Sequence, residues 1–254
     1  MRSAVTETAQ GILPADRILD MSAYGAIEVA HPLDEGQVQP ASLDLRLGPT
    51  AYRVRASFLP GPGTIVAERL REVRLHEFSL ADGAVLETGC VYIIPLIESL
   101  RLPADIAAAA NPKSSTGRLD VFTRVITDRA REFDVIPEGY AGPLYIEVSP
   151  RTFPILVRAG SRLTQMRFRR GAAKLDDQTL TELHSRQRLV DGEAHIDNGL
   201  TLSIDLDGRG NGEGSIVGYR AKRHTAVVDV DRRGAYDPLD FFEPIPRRGR
   251  DLVL

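Results

Sequence analysis

Pro40-Ala-Ser-Leu-Asp-Leu-Arg-Leu-Gly48 is the stretch that decides the fold class. Leu43, Leu45 and Leu47 alternate with Asp44 and Arg46. Successive side chains of a strand point to opposite faces, so this period of two predicts a half-buried β-strand. Ala51-Tyr-Arg-Val-Arg-Ala56 alternates in the same way. Outward from there, short β-prone runs recur at residues 73–75, 85–86, 91–94, 121–126, 144–148, 155–157 and 164–168. Gly and Pro separate them, with Pro60-Gly-Pro-Gly63 the strongest break. Many short strands with little helix predict an all-β architecture: a sandwich, a jelly roll or a barrel. A short N-terminal helix is predicted over residues 14–23, with Pro14 in its first turn and Ile18, Leu19 and residues 21–24 on one apolar face. Residues 1–10 are polar and expected to fray.

The totals narrow the function classes. At 254 residues, 43% hydrophobic and 26% charged, the chain has the composition of a globular protein with a real core, in one large or two modest domains. A net charge of −3 supplies no global field for nucleic acid, so any phosphate binding must be local. The single cysteine, Cys90, excludes an intrachain disulfide and reads as a small core residue. The first ten residues carry no apolar leader, and no apolar run approaches the roughly 18–20 residues of a membrane span. These features predict a cytoplasmic protein with neither nucleic acid nor membrane as partner.

The second half reads as a partial echo of the first in its order of motifs. Leu202-Ser-Ile-Asp-Leu206 repeats the pattern of Ser42-Leu-Asp-Leu45, and Gly218-Tyr-Arg-Ala-Lys222 that of Ala51-Tyr-Arg-Val-Arg55, across a Gly-rich loop at residues 208–214. Asp240-Phe-Phe-Glu-Pro-Ile245 and residues 251–254 then stand where residues 75–80 and 85–86 stood. Matches in the same order predict a degenerate repeat, with coincidence between β-rich segments as the alternative. The expected organisation is a β domain at 1–170, a polar connector at 171–195 with a short helix around 179–186, and the start of a second, related β domain at 196–254. That copy is expected to be incomplete: it stops before any counterpart of residues 113–147, on the strand-like Leu252-Val-Leu254.

The chemistry concentrates in residues 111–147. Asn111-Pro-Lys-Ser-Ser-Thr-Gly-Arg118 packs two cations and three hydroxyls into six residues, Lys113 to Arg118. Phosphate oxygens accept charge-assisted hydrogen bonds from such groups, although a solvated loop has the same composition. In Pro143-Leu-Tyr-Ile-Glu-Val148 one acid, Glu147, interrupts a β-prone run. A lone carboxylate in a strand is costly unless exposed, paired or kept for proton transfer. Strand alternation with Leu144 and Ile146 in the core would turn Glu147 to solvent, the plain alternative. Between them, Phe133-Asp-Val-Ile-Pro-Glu-Gly-Tyr140 reads as a β-bend leading into the Glu147 strand. No Gly-x-x-x-x-Gly-Lys precedes Lys113, so this is not a P-loop.

Taken together, Gln39-Pro-Ala-Ser-Leu-Asp-Leu-Arg-Leu-Gly48, Lys113-Ser-Ser-Thr-Gly-Arg118, Ile136-Pro-Glu-Gly-Tyr-Ala-Gly142 and Glu147 resemble the dCTP deaminase branch of the dUTPase superfamily, over about residues 10–170. The remainder, including Tyr236-Asp-Pro-Leu-Asp-Phe-Phe-Glu-Pro-Ile245, resembles the doubled form of that family. The resemblance implies a distorted jelly-roll or barrel of the dUTPase-like type. It implies hydrolytic deamination of dCTP to dUTP and ammonia in the supply of thymidylate precursors. Glu147 would shuttle protons, with Ser114 and Arg118 ordering base, water and acid. Lys113 and Ser115 would hold phosphates, and Thr127, Asp128, Asp134 and Tyr140 would complete the substrate site. Zinc deaminases need a His or Cys followed by Glu and a Pro-Cys-x-x-Cys. Cys90 with His31, His76, His184, His195 and His224 cannot supply that set, so no zinc is expected. Mg²⁺ would arrive on the substrate triphosphate, and a trimer-like homo-oligomer is implied. The alternatives are a dUTP diphosphatase, a bifunctional deaminase–diphosphatase, and a catalytically dead nucleotide-binding domain. The loop between Arg118 and Gly139 is longer than in compact single-domain relatives, and the family's tail over the triphosphate has no clear match.

Overall fold

The computed structural model describes residues 10–203, 216–223 and 225–246. The chain forms two compact units, Met1–Ala172 with Thr225–Ala235, and Ala173–His224 with Tyr236–Leu254. Residues 225–235 fall within the stretch expected to belong to a second domain, but they join the first unit. There Val228–Asp229 pairs in parallel with Ile155–Val157. Arg158 grips Asp229 with two hydrogen bonds of 2.8 and 2.9 Å, which holds the Asp229 carboxyl below its usual range.

The first unit is built on two six-stranded antiparallel sheets. One runs in the order Val135–Ile136, Ile106–Pro112, Arg162–Arg170, Ser42–Arg46, Val38–Gln39, with Gly11–Ile12 also on Arg162–Arg170. The other runs Val121–Thr127, Ala141–Pro150, Val91–Arg101, Thr50–Val54, Arg74–Ser79, with Ile27–Val29 also on Val91–Arg101. The all-β expectation holds. Strands of the two sheets touch, Ile106–Pro112 against Val121–Thr127 and Ser42–Arg46 against Val91–Arg101. Leu43, Met166 and Phe168 from one sheet, and Ile94, Ile146 and Val148 from the other, are fully buried. Each such side chain contributes about 1.5–3 kcal/mol of transfer free energy.

The strand that predicted the fold class differs from its prediction in one respect. Every residue of Ser42–Arg46 is buried, so the polar half of the alternation does not face water. Arg46 donates through Nε to Glu98 at 2.7 Å and through Nη1 to Asp34 at 3.1 Å, while Asp44 pairs with Lys113. Buried charge is tolerated only when paired and hydrogen-bonded, and this face is a charge network instead of a solvated surface. Val91–Arg101 supplies Glu98 through an irregularity. Between the pairs Pro143↔Ser99 and Tyr145↔Pro95, Leu144 alone faces residues 96–98. Extra residues of this kind bend a strand and re-aim its side chains.

The N-terminal helix is Ala15–Ala23, with Pro14 as its N-cap instead of in the first turn. Only Ile18 and Met21 are buried, whereas Leu19 and Tyr24 of the expected apolar face are exposed. A second helix, Val66–Val73, takes Val73 from the β-run expected at 73–75, whose other two residues open the strand Arg74–Ser79. Val66 and Leu70, four residues apart, lie on one face and pack with Val54, Ile93 and Ile126 on the second sheet. Asp128 accepts the Val66 N–H at 2.8 Å and so caps this helix from a distant loop. Ile106–Pro112 was not foreseen as a strand either. Its Ala107–Ala110 run has weak β-propensity, and pairing on both sides decides its conformation.

In the second unit, Asp177–Arg186 is helical, and Asp176 caps it by accepting the Thr179 N–H at 2.8 Å. Asp177 accepts the N–H groups of Asn198 and Gly199, both at 2.9 Å, at the turn between His195–Ile196 and Leu200–Thr201. Ile216–Ala221 pairs with Phe242–Pro246, with the short helix Pro238–Phe241 before the second strand. Thr50–Val54, Val66–Val73 and Arg74–Ser79 make the same strand–helix–strand order in the first unit, where the sequence echo falls. Residues 204–215 and Leu252-Val-Leu254, which carried parts of the repeat reading, and His224, one of the histidines weighed for zinc, lie outside the described residues. Among the described residues no helix is long and apolar enough to cross a membrane.

Candidate active site

Glu147 lies in the Ala141–Pro150 strand, between Arg124 of Val121–Thr127 and Ile93 of Val91–Arg101. It is 1% exposed, so the solvent-facing alternative is excluded. The face that alternation turns away from the sheet-to-sheet core is itself covered, by the cluster around Val66, Leu70, Ile93 and Ile126 with Phe133 and Tyr145 packed against it. Arg124 donates to Glu147 Oε1 through Nη2 at 2.7 Å and Nε at 3.2 Å. Glu147 Oε2 is buried and has no hydrogen-bond partner among the described residues. A carboxylate oxygen in that condition costs free energy unless a ligand or water completes it.

Arg124 is itself held on three sides. Its Nη2 also donates to Ser57 Oγ at 2.8 Å, and its Cζ lies 3.6 Å from the Phe133 ring centroid and 4.8 Å from that of Phe122. Asp134 follows Phe133 in the left-handed region, φ 64°, where Asp is among the residues that adopt it most readily. Its Oδ1 accepts the Val125 N–H at 2.7 Å. Burial pushes the Asp134 carboxyl up, the Val125 N–H and Arg124 oppose this, and the charge of Glu147 adds to it. Asp134, Arg124 and Glu147 thus form one electrostatic group.

Thr127, Asp128 and Tyr140 come together in a cavity of about 670 Å³, whose wall also includes Arg129, Arg131 and Gly142. Tyr140 donates to the Pro143 carbonyl at 2.7 Å and accepts the Asp128 N–H at 3.2 Å. Its phenol, pushed up to about 12 by burial, braces the cavity wall and stays protonated at any physiological pH. A Cβ at Gly142 would stand 2.7 Å from the Tyr140 hydroxyl, so the tyrosine and the glycine of this motif fit together.

The cation-and-hydroxyl cluster is not a loop: Ser114–Arg118 is a short helix. Thr116 anchors it, donating to the Leu163 carbonyl at 2.8 Å from a buried position. Ser114, Ser115 and Arg118 are exposed, and none makes a side-chain hydrogen bond or ion pair among the described residues. Lys113 is paired with Asp44, whose Oδ1 is the other buried carboxylate oxygen without a partner among the described residues. No described hydrogen bond or ion pair joins this helix to Glu147. The sequence-predicted residues therefore fall into three groups: the helix with Lys113, the cavity wall, and Glu147 with Asp134.

Arg124, Asp44 and Phe133 were not singled out by sequence reasoning. Arg124 sits in an alternating run where an outward arginine is unremarkable, and only strand register places it opposite Glu147. Asp44 was legible as a strand residue but its partner, 69 positions away, was not. Among the described residues no three of His, Cys, Asp and Glu are grouped so as to hold a metal ion.

Residues 9–172 match the model of the 2'-deoxycytidine 5'-triphosphate deaminase (DCD) N-terminal domain, and residues 176–254 that of the DCD C-terminal domain. The dCTP deaminase of Halorubrum lacusprofundi is 30% identical over 164 residues, 62% of this chain and 76% of that protein. A dUMP-forming dCTP deaminase of Coprothermobacter proteolyticus is 26% identical over 160 residues, 62% of this chain and 81% of that protein. The crystal structure of 2'-deoxycytidine 5'-triphosphate deaminase from Agrobacterium tumefaciens is 59% identical and superposes with a TM-score of 0.91, covering 95% of this chain and 72% of that one.

Proposed function

We propose that this chain, which belongs to the 2'-deoxycytidine 5'-triphosphate deaminase family, hydrolyses dCTP to dUTP and ammonia. The observation that carries the reading is Glu147: a buried carboxylate with one oxygen held and the other left without a partner. Its position, five residues beyond Gly142, is that of the catalytic glutamate in the resemblance. Oε2 takes a proton from water as the oxygen adds to C4 of the cytosine. The proton passes to the ring nitrogen, and a second transfer to the amino group lets the C4–N bond break and ammonia leave. Water and base must be held in line, and oriented donors must stabilise the adduct. Ser114 and Arg118, exposed and unengaged among the described residues, are suited to that task.

The cavity beside Thr127, Asp128 and Tyr140 is the candidate for sugar and base. Lys113 and Ser115 would take phosphate oxygens, Lys113 exchanging part of its pairing with Asp44 for the triphosphate. Mg²⁺ would come as part of the substrate. We place the protein in the cytoplasm as a homo-oligomer, trimer-like as the fold's relatives are, with no zinc and no nucleic-acid or membrane partner. A bifunctional reading, in which dUTP goes on to dUMP, is favoured by the relatives named dUMP-forming.

Incubation with Mg²⁺–dCTP and, separately, Mg²⁺–dUTP tests both readings. Ammonia release from dCTP is expected, and pyrophosphate from either nucleotide marks the second activity. Nucleotide binding without ammonia release overturns the deaminase reading.

A further inference from the structure

The deaminase reading needs an acid that can take and give protons, and assigns it to Glu147. A carboxylate at 1% exposure is stable only with a counter-charge and hydrogen bonds. Arg124 supplies both, and it does so asymmetrically. Nη2 and Nε converge on Oε1 at 2.7 and 3.2 Å, and Oε2 receives nothing from the described residues. A side-on guanidinium could span both oxygens of a carboxylate. The grip on one oxygen leaves the other buried and without a hydrogen-bond partner among the described residues.

This geometry is over-determined. Register sets Arg124 directly opposite Glu147. Phe133 stacks on the guanidinium at 3.6 Å and Phe122 lies at 4.8 Å, and Ser57 accepts from Nη2 at 2.8 Å. A guanidinium over an aromatic face is attracted by the ring quadrupole, so the stacking restricts the plane in which its N–H groups point. Arg124 is thus fixed from its own strand, from the loop carrying Ser57 and from the segment carrying Phe133. The charged groups facing Glu147 are Arg124 and, from the turn after Phe133, Asp134; the opposite neighbouring strand presents Ile93.

We propose that Arg124 is the positioning residue of the catalytic glutamate: it fixes Oε1, neutralises the buried charge, and leaves Oε2 as the oxygen that meets water. The proposal rests on the deaminase reading of Glu147. Arg124 also contrasts with Arg118, whose assigned task is at the substrate. Loss of Arg124 should lower kcat with little effect on KM, because the residue acts through Glu147 and not on the nucleotide.

The test uses the full chain, as wild type, Arg124→Gln and Arg124→Lys. For Arg124→Gln, kcat for dCTP is expected to fall about 100-fold, the cost of one oriented charged donor. KM is expected to change less than about threefold. Arg124→Lys, which keeps the charge but not the fork, should fall between the two. A second readout is independent of turnover: the position of the ¹³Cδ resonance of Glu147, assigned with Glu147→Gln, at one fixed pH. In Arg124→Gln it should be displaced from its wild-type position, since the two hydrogen bonds to Oε1 are lost. An unmoved resonance, or an unchanged kcat with raised KM, overturns the proposal. Should wild type release no ammonia, the deaminase reading fails while the resonance still decides the Arg124–Glu147 coupling. If Arg124→Gln does not fold, Phe133→Leu decides: a smaller shift in the same direction supports the proposal, and an unmoved resonance overturns it.

Discussion

Glu98 and Glu147 are both buried acids in strands of the same sheet, each facing an arginine, and they are solved in opposite ways. Glu98 is 0% exposed, and both of its oxygens are occupied. Oε1 accepts from Gln37 Nε2 at 2.8 Å and Arg46 Nε at 2.7 Å, and Oε2 from the Arg46 N–H at 2.8 Å. Glu147 is equally buried but half satisfied. The first pattern is a closed network with nothing left to give a ligand. The second keeps a reactive oxygen at a standing energetic cost, which a structural role does not explain. Burial and pairing are common to both acids, so neither identifies a catalytic residue. The oxygen without a partner among the described residues separates Glu147 from Glu98, although Asp44 Oδ1 shares that condition.

The comparison can be broken by mutation. The largest effect on stability is expected from Glu98→Ala, which removes the buried partner of Arg46, a side chain 4% exposed, and leaves it only the half-exposed Asp34 as counter-charge. It should lose about 3–5 kcal/mol in urea denaturation, and a loss well under that range would mean the network is not what secures this face. Glu147→Gln should cost about 1 kcal/mol or less, because Arg124 keeps 26% exposure and one hydrogen bond to the amide oxygen. Equal costs for the two substitutions would erase the distinction. Asp128→Ala removes the cap on Val66, worth about 1 kcal/mol, and should loosen the Val66–Val73 helix in hydrogen exchange.

Asp134→Asn gives the smallest change, and its sign is diagnostic. The folded state raises the Asp134 pKa, so it binds that proton more tightly than the unfolded chain does. The resulting penalty is absent below the unfolded pKa and grows as pH rises through the folded one. Asparagine avoids this penalty, tolerates the positive φ and can keep the Val125 N–H bond. Its stability relative to wild type should therefore improve by a few tenths of a kcal/mol or more from acid to neutral pH, within the spread usual for small polar changes. The opposite slope would show that Arg124 outweighs burial at this position.

Much of the fold was legible because alternation and Gly/Pro punctuation are local. Ile155–Val157 coincides with its expected run, and Val121–Thr127 and Ala141–Pro150 extend theirs by a few residues. What failed was where partners matter more than pattern. Ile106–Pro112 is an alanine-rich strand fixed by neighbours on both sides, and the polar residues of Ser42–Arg46 are buried because Glu98 and Lys113 meet them. The site divides in the same way. Lys113, Arg118 and Glu147 stand out by composition, whereas Arg124 acquires its meaning only through register with a strand 23 residues away. Phe133 likewise gains a role only once Arg124 is seen to lie on it.

The most direct test measures ammonia release from dCTP by Glu147→Gln, under conditions where urea denaturation shows it as folded as wild type and calorimetry shows that it still binds the nucleotide. The account predicts retained binding with turnover reduced by roughly 10²–10⁴-fold, the contribution of a positioned acid–base group. Ammonia release at the wild-type rate would contradict it.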